Sequence, residues 1–230
     1  MKMTPSKKTL MKYYTESPYI SEIGVDEVGR GPLFGRVYTA AVILPKDDSF
    51  DHSKMKDSKK FSSKKKIQEA AEYIKEHAIA WAVSYEDEKT IDEINILQAT
   101  QMSMHKCIAD VIKNKHANPM PGTIKLLIDG NYFKPYITYN STRKQIEQLD
   151  YICIEGGDDK YSAIAAASIL AKVARDAYIS ELCIEHPSLI DNYSIDSNKG
   201  YGAKKHMEGI QKHGITIWHR RTFKPCKNYI

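Results

Sequence analysis

Short apolar segments alternate along the chain with longer segments in which apolar residues recur every three or four positions, and this alternation predicts an α/β fold. Residues 22–28 predict a first strand and residues 37–44 a second, which Pro45 ends because proline has no backbone N–H to donate. The connection between the two strands is short, so we expect a hairpin and antiparallel pairing at the start of the sheet. Residues 79–85 predict a third strand.

Helices are indicated by apolar periodicity and by capping residues. Ser62 or Ser63 caps the first helix, and residues 90–93 form a capping box at the start of the second. Residues 164–173 are small and apolar, which predicts a buried third helix packed close to the sheet, and a short helix is expected over residues 203–213. The core-facing positions are predicted to be Ile67, Ala71, Ile74 and Ala78 in the first helix and Leu97, Met104, Ile108 and Val111 in the second.

The remaining two predicted strands lead into carboxylates. Residues 123–129 are almost continuously apolar, which predicts a central strand buried on both faces with Asp129 at its end. Ligands of α/β proteins bind at such strand ends, although an ordinary Asp-Gly turn explains Asp129 equally well. Residues 151–154 predict the last strand, and Asp158 lies between its end and the third helix.

Length and composition are typical of a soluble globular protein with one core, because the chain has 230 residues of which 42% are hydrophobic and 27% charged. We expect a polar tail over residues 1–20 and a single domain over residues 21–230. No segment is apolar enough for a bilayer span or a signal peptide, so no membrane partner is expected. The 4 cysteines are scattered and form no C-x-x-C pair, which indicates reduced thiols and a reducing, cytoplasmic location. We also expect a monomer.

The charge balance favours a polyanionic partner such as nucleic acid without requiring one, since the net charge is 34 − 29 = +5. The lysine-rich residues 56–66 can neutralise phosphates, although most charge runs of this kind are solvated faces. Residues 219–225 combine cationic and aromatic side chains, a combination that suits sugar stacking and phosphate contact.

The turn after the first strand carries the most suggestive chemistry. Asp26 and Glu27 are adjacent carboxylates, which favour a hard divalent cation. Residues 29–31 read Gly-Arg-Gly, and such a turn lets backbone amides approach an anion or a hydroxyl closely. On these residues alone an ordinary turn is the better interpretation, because the same residue types are common in turns without function.

Taken together, the acids at strand ends change that interpretation. Asp26, Glu27, Asp129 and Asp158 would repel one another at one end of a sheet unless cations neutralised them, and a two-metal nuclease site has such an arrangement. Adjacent residues on a regular strand point to opposite faces, so Asp26 and Glu27 cannot both face one site on a regular strand. We therefore expect the strand to twist, bulge or end there.

Seven blocks in order along the chain resemble ribonuclease HII. They are GVDEVGRGPL at 24–33, KDSKK at 56–60, NILQAT at 95–100, DGN at 129–131, GD at 157–158 with AAASILAKVARD at 165–176, NKGYG at 198–202 and HRRTF at 219–223. The resemblance implies a ribonuclease H-like fold, with a mixed five-stranded sheet, flanking helices and a C-terminal helical extension. It also implies Mg²⁺- or Mn²⁺-dependent hydrolysis of RNA in RNA/DNA hybrids and of single ribonucleotides embedded in duplex DNA. Cleavage is expected 5′ of the ribonucleotide, leaving 3′-hydroxyl and 5′-phosphate ends.

The family's functional residues carry over one by one. Asp26, Glu27, Asp129 and Asp158 match the four metal-binding acids. Gly29, Arg30 and Gly31 match the motif that reads the 2′-hydroxyl, the group that distinguishes RNA from DNA. Tyr201 matches the tyrosine that stacks on the neighbouring deoxynucleotide sugar at the RNA–DNA junction. Lys59 and Arg220 are expected to contact the substrate backbone and to make binding salt-dependent.

The chain departs from the family pattern at a few positions. Phe34 and Arg36 replace a small residue and a proline, which could reshape the loop or add a phosphate contact. Ala203 stands where threonine is usual, and residues 132–150 resemble an insertion near the site. Two alternatives remain open: the ribonuclease HIII type, which prefers longer hybrids and usually has an extra N-terminal domain, and a hybrid-binding protein without catalysis.

Overall fold

A mixed sheet forms the centre of the protein, in a computed structural model that describes residues 9–115, 122–140 and 144–229. Its strands are β1 (Ile20–Val28), β2 (Val37–Ile43), β3 (Ala80–Glu86), β4 (Thr123–Asp129) and β7 (Asp150–Ile154), while β5 (Ile137–Asn140) and β6 (Gln145–Gln148) form a separate hairpin. The spatial order is β3-β2-β1-β4-β7. The pairs β1–β2 and β2–β3 are antiparallel, and β1–β4 and β4–β7 are parallel. The expected initial hairpin and mixed five-stranded sheet are confirmed.

The helices lie on both faces of this sheet. They are α1 (Lys64–His77), α2 (Glu88–Lys115), α3 (Ser162–Glu185), α4 (Ser188–Tyr193), α5 (Ile195–Asn198) and α6 (Lys204–His213). Ser63 caps α1 as predicted, accepting from the backbone N–H of Lys66. The capping box predicted at residues 90–93 is wrong: α2 begins at Glu88, and the carboxylate of Asp87 accepts from the N–H of Thr90. Asn95, with φ of 68°, kinks α2.

Close packing of α3 against β1 fixes the layer beneath the carboxylates. A Cβ at Gly24 would lie 2.5 Å from the backbone nitrogen of Ile164, so only a glycine allows this approach. The small residues predicted to bring the helix close to the sheet do so, and Ala165, Ala166 and Ala167 are fully buried. The opposite face of the sheet packs on α2 through residues such as Met104.

The described part of the N-terminal segment, residues 9–19, packs against the domain. Leu10 is buried, the N–H of Met11 donates to the carbonyl of Lys160, and the N–H of Ser162 donates to the carbonyl of Met11. These bonds attach the segment to the start of α3. Residues 1–8 of the expected tail lie outside the described residues.

The segment expected to be an insertion contains the β5–β6 hairpin. Its outer face is apolar and exposed at Ile137, Tyr139 and Ile146. At its base the N–H of Leu149 donates to the carbonyl of Tyr136, and these two residues pack on the core between the sheet and α2. Residues 141–143 of the segment lie outside the described residues.

The C-terminal extension forms its own core with the loop that follows β1. Leu33 and Phe34 of that loop pack with Ile179 of α3, Tyr193 of α4 and Ile210 of α6. The extension is therefore packed onto the Gly-Arg-Gly loop. Among the described helices, none is long and apolar enough to cross a membrane.

Candidate functional site

Asp26 and Glu27 lie where β1 loses one of its two neighbours. Pairing of β1 with β4 ends at Val25, whereas pairing with β2 continues in unbroken register through Val28. The strand therefore does not bulge against β2, and the expected irregularity takes the form of lost pairing on the β4 side. Because side chains alternate, Asp26 lies on the α3 face with Gly24, and Glu27 lies on the opposite face.

The two acids have different partners. Asp26 is buried, and its carboxylate accepts from the backbone N–H of Glu27 at 2.7 Å and from the hydroxyl of Ser168. Glu27 accepts from the Arg30 guanidinium at 3.1 Å. The arginine of the Gly-Arg-Gly turn is thus directed back toward the second acid of β1.

Asp129 and the turn that carries Asp158 are joined directly. The carboxylate of Asp129 accepts from the N–H of Gly157 at 2.7 Å. Gly157 has no room for a side chain, since a Cβ there would lie 2.5 Å from Ile164 Cδ1 and 3.3 Å from Asp129 Oδ1. Asp158 follows in a short 3-10 turn before α3 and is itself buried.

The electrostatics of these acids reflect their burial and their mutual repulsion. Burial raises the pKa of Asp26 well above its ordinary value, and the charges of Glu27 and Asp129 raise it further. Burial also raises the pKa of Asp158, with a contribution from Asp129. The pKa of Glu27 is raised by burial, against the lowering effect of Arg30. The ionised site therefore needs additional positive charge.

A divalent cation fits this site by its chemistry. The donors are carboxylate oxygens, which Mg²⁺ and Mn²⁺ prefer, and a cation would offset the burial and the mutual repulsion that raise the pKa of Asp26 and of Asp158. In the described part of the chain, however, no group of three or more His, Cys, Asp or Glu side chains is arranged so that it could hold a metal ion. Glu27 is turned to Arg30 and Asp129 to Gly157, so both side chains would have to reorient around a bound ion.

A lysine loop lies beside Asp158. Lys59 Nζ is 3.9 Å from Asp158 Oδ2, and its side chain is 81% exposed, so it remains accessible to a substrate phosphate. The loop is anchored by a 3.0 Å bond between the hydroxyls of Ser58 and Ser168. Ser168 also bonds Asp26, so one buried serine connects the lysine loop to the first acid. Sequence reasoning assigned no role to these serines, although both lie in the family-like blocks.

The Gly-Arg-Gly loop is held from below by two buried arginines. Arg175 and Arg220 are 1% and 0% exposed, and no carboxylate is among their hydrogen-bond partners in the described residues. Arg175 donates to the carbonyls of Phe34, Arg36 and Lys199 at 2.9–3.3 Å. Arg220 donates to the carbonyls of Gly29, Arg30, Pro32 and Gly35 at 2.6–2.9 Å. The carbonyls of the loop therefore point inward.

This geometry corrects the role expected for Arg220. Its guanidinium is buried under the loop and bonded to backbone, so it cannot contact a substrate phosphate directly. Burial and the nearby Arg175 lower its pKa to about 9. Because C=O and N–H point in opposite directions across a trans peptide, inward carbonyls at Gly29 and Arg30 turn the N–H groups of Arg30 and Gly31 outward. Arg220 thus orients the amides expected to meet substrate.

Tyr201 lies next to those amides. A Cβ at Gly31 would be 3.5 Å from Tyr201 Cε1, and the tyrosine is 48% exposed. The N–H of Leu33 donates to the carbonyl of Gly200, which ties the two loops together. The structure therefore brings together the two groups that the sequence resemblance assigns to the ribonucleotide and to its neighbour.

The departures at Phe34 and Arg36 are structural. Phe34 is fully buried and packs edge-on against the rings of His206 and His219. The Arg36 guanidinium lies between the rings of Tyr85 and Tyr178, 4.1 and 4.3 Å from their centroids. The suggested phosphate contact of Arg36 is therefore replaced by aromatic packing. Asp176 of α3 is partly exposed and pairs with Lys172 at 2.9 Å.

Comparison with known proteins agrees with these features. Residues 23–226 match the family model described as Ribonuclease HII. A protein named Ribonuclease HII from Parabacteroides distasonis is 43% identical over 203 residues, which is 88% of this chain and 89% of that protein.

Solved structures agree in fold. The ribonuclease H2 of Pyrococcus horikoshii OT3 aligns with a TM-score of 0.66 at 20% identity, covering 91% of this chain and 96% of that one. Bst-RNase HIII in complex with Mn²⁺ aligns with a TM-score of 0.61 at 20% identity, covering 92% of this chain and 69% of that one. The expected ribonuclease H-like fold is confirmed. The family match and the sequence identity over most of the chain show that it belongs to the ribonuclease HII family, whose members are hydrolases that cleave RNA.

Proposed function

We propose that this protein is an endonuclease that hydrolyses the RNA strand of RNA/DNA hybrids and cuts 5′ of single ribonucleotides embedded in duplex DNA. The products are 3′-hydroxyl and 5′-phosphate ends, and the cut at an embedded ribonucleotide begins ribonucleotide excision repair. The observation that carries this proposal is the position of Gly31 against Tyr201, in the loop that follows the two acids of β1. The loop proposed to recognise the 2′-hydroxyl and the tyrosine proposed to stack on the next sugar then lie beside the hydrolytic site.

The acids Asp26, Glu27, Asp129 and Asp158 are proposed to hold two Mg²⁺ or Mn²⁺ ions. Bound divalent ions supply Lewis-acid charge that activates water and stabilises the leaving oxygen in an in-line displacement. The fold neighbour Bst-RNase HIII was solved with Mn²⁺, which supports the choice of a divalent ion. Within this chain, the raised pKa of Asp26 and its repulsion from Glu27 and Asp129 support a cation between them.

Substrate discrimination is proposed to come from backbone as well as side chains. The outward N–H groups of Arg30 and Gly31 would donate to the 2′-hydroxyl, which is absent from DNA. Tyr201 would stack on the deoxyribose that follows. Lys59 would contact phosphate beside Asp158. Arg220, being buried, would act by holding the loop.

The test compares three duplexes of one sequence: all DNA, DNA with one ribonucleotide, and a uniform RNA/DNA hybrid. Purified protein with Mg²⁺ or Mn²⁺ should cut the second at the 5′ side of the ribonucleotide, cut the third, and leave the first intact. Ligation after cleavage should show 3′-hydroxyl and 5′-phosphate ends. Asp129→Asn is the matched inactive control. No cut at the ribonucleotide, where an established ribonuclease HII cuts, would overturn the proposal.

The same assay addresses the ribonuclease HIII type. A preference for long hybrids, with slow cutting at the single ribonucleotide, would assign the chain to that specificity. Against it stands the 43% identity to a protein named Ribonuclease HII.

We also propose that residues 21–230 form one catalytic domain, including the C-terminal extension, and act as a monomer in the cytoplasm. Support for the single domain comes from the shared core of Phe34 and the extension. All four cysteines are unpaired, which agrees with a reducing location.

A further inference from the structure

A chain of hydrogen bonds runs through two buried histidines behind Tyr201. His206 Nδ1 is 2.9 Å from the carbonyl oxygen of Tyr201. His206 Nε2 is 3.1 Å from His219 Nε2. His219 Nδ1 is 2.9 Å from the backbone nitrogen of Thr216. Both rings are inaccessible to solvent, at 0% and 1% exposure.

The bonds determine which nitrogens carry protons. The Thr216 N–H can only donate, so His219 Nδ1 accepts and its proton lies on Nε2. His219 Nε2–H then donates to His206 Nε2, and His206 carries its proton on Nδ1, from which it donates to the Tyr201 carbonyl. Every ring nitrogen is satisfied with both histidines neutral, as burial requires.

The same histidines join both reading elements. His219 forms an antiparallel bridge with Phe34, and the N–H of its neighbour Arg220 donates to the carbonyl of Leu33 at 2.8 Å. The Arg220 side chain holds Gly29 and Arg30 from below. At the other end, His206 is bonded to the backbone of Tyr201. A displacement of either ring would therefore change the spacing between Gly31 and Tyr201.

We propose that His206 and His219 are positioning residues that set the Tyr201 backbone against the Gly-Arg-Gly loop and thereby determine preference for the ribonucleotide–deoxynucleotide junction. This inference rests on the proposed function. It assigns the pair no part in the hydrolytic step, since neither ring is bonded to any of the four acids. The substrate class affected is the embedded ribonucleotide, because a uniform hybrid presents no deoxyribose next to the cut.

The test uses two replacements of His206 that each keep half of its hydrogen bonding. In His206→Asn, the side-chain amide occupies the place of Nδ1 and retains the donor to Tyr201. In His206→Gln, the amide extends to the place of Nε2, so it can reach His219 but no longer donates to Tyr201. If His206 only fills space in the core, His206→Gln should keep more of the substrate preference, because glutamine is the larger side chain. If His206 positions Tyr201, His206→Asn should keep more of it.

Steady-state cleavage is measured on the single-ribonucleotide duplex and on the uniform hybrid. His206→Gln should lower kcat/KM for the embedded ribonucleotide about tenfold relative to the hybrid, the effect of one lost hydrogen bond. The loss should be mainly in KM, and His206→Asn should stay within about threefold of wild type. Combined with Tyr201→Ala, His206→Gln should cause no further loss of preference, because the effect passes through the tyrosine.

Thr216→Val keeps the backbone donor but removes the hydroxyl that lies 2.8 Å from His219 Nδ1. It gives a milder perturbation if His206→Gln does not fold, and it should shift the substrate ratio in the same direction by about twofold. The inference is overturned if folded His206→Gln or Thr216→Val leaves the ratio of kcat/KM for the two substrates unchanged. It is also overturned if His206→Asn and His206→Gln lose equal preference for the embedded ribonucleotide, or if the effects of His206→Gln and Tyr201→Ala on that preference are additive. If wild type cuts neither substrate, the proposed function fails instead.

Discussion

Arg175 occupies the space into which a side chain at Gly29 would project. A Cβ on Gly29 would overlap Arg175 Nε and lie 2.7 Å from Cδ, and Gly29 also has φ of +92°. The glycine therefore serves two purposes: it adopts a left-handed backbone conformation, and it lets a buried guanidinium reach the carbonyls of the loop.

We predict that Gly29→Ala is more destabilising than its backbone conformation alone explains. Gly130→Ala is the matched control, because Gly130 has φ of +93° with no atom within 4 Å of its Cβ position. The control should lower the free energy of unfolding by about 1–2 kcal/mol. Gly29→Ala should lower it by about 1–3 kcal/mol more than the control does, as expected for overpacking. Denaturant titration measures both. Equal losses would contradict the assigned clash.

Arg220→Ala should destabilise the protein strongly, because it leaves buried carbonyls of the Gly-Arg-Gly loop without a donor. We expect a loss of about 3 kcal/mol or more in the free energy of unfolding. Its exposed neighbour provides the control, and Arg221→Ala should change stability by no more than about 0.5 kcal/mol. If Arg220→Ala instead left stability intact and weakened only substrate binding, the original expectation of a phosphate contact would return.

Lys59→Ala should reduce the salt dependence of substrate binding. Removal of one phosphate contact lowers the slope of log K against log salt by about 0.9. Binding is measured with the inactive Asp129→Asn protein over a series of salt concentrations. Lys89→Ala is the control, since Lys89 is an exposed lysine near Glu93 on α2, outside the lysine-rich residues 56–66. The same change of slope in both variants would mean that the effect is one of net charge.

Asp26→Asn should stabilise the metal-free protein, although it abolishes activity. Burial and the charges of Glu27 and Asp129 raise the pKa of Asp26, so its ionised form is unfavourable in the fold. At mildly alkaline pH we expect a gain of about 1–3 kcal/mol in the free energy of unfolding. Asp176→Asn, which breaks the partly exposed pair with Lys172, should give no gain.

Addition of divalent ions should reverse the order of stability, so that wild type becomes more stable than Asp26→Asn. Mg²⁺ or Mn²⁺ at about a hundred times its Kd stabilises wild type by about 2.7 kcal/mol, and Asp26→Asn should lose most of this gain. The chelator EDTA should return wild type to its metal-free Tm. Equal metal stabilisation of both proteins would exclude Asp26 as a ligand.

The histidine pair predicts acid sensitivity. Burial and the neighbouring His206 lower the pKa of His219 from 6.5 to about 3. The unfolded chain therefore binds more protons than the fold between these values. His219 thus destabilises the fold progressively as pH falls below about 6.5, by about 1.4 kcal/mol per pH unit. His219→Gln should reduce this slope. Asp26 contributes a pH dependence of stability with the opposite sign. This contribution is the same in wild type and in His219→Gln, so it cancels when the two proteins are compared.

Much of the architecture could be predicted from local sequence. Apolar periodicity located the strands and helices, and one of the two serines predicted as possible caps, Ser63, caps α1. The start of α2 was misplaced because Asp87 and Thr90 are both acceptable capping residues, and only tertiary packing selects between them. The position of Asp129 at the end of its strand also followed from pattern, because the apolar residues before it are followed directly by a Gly-Asn turn.

By itself, the sequence determined the order of the elements, the residue types of the site and the family resemblance, since these depend on neighbours along the chain. Only the tertiary structure decided the direction of each long polar side chain. Arg220 lies in a basic, aromatic segment and reads as a surface cation, yet it is buried beneath Gly29. Nothing local distinguishes the two cases, because the carbonyls that stabilise its guanidinium are supplied by a loop almost two hundred positions away in the chain. Tertiary packing also turned His206 and His219 toward each other and set Tyr201 against Gly31.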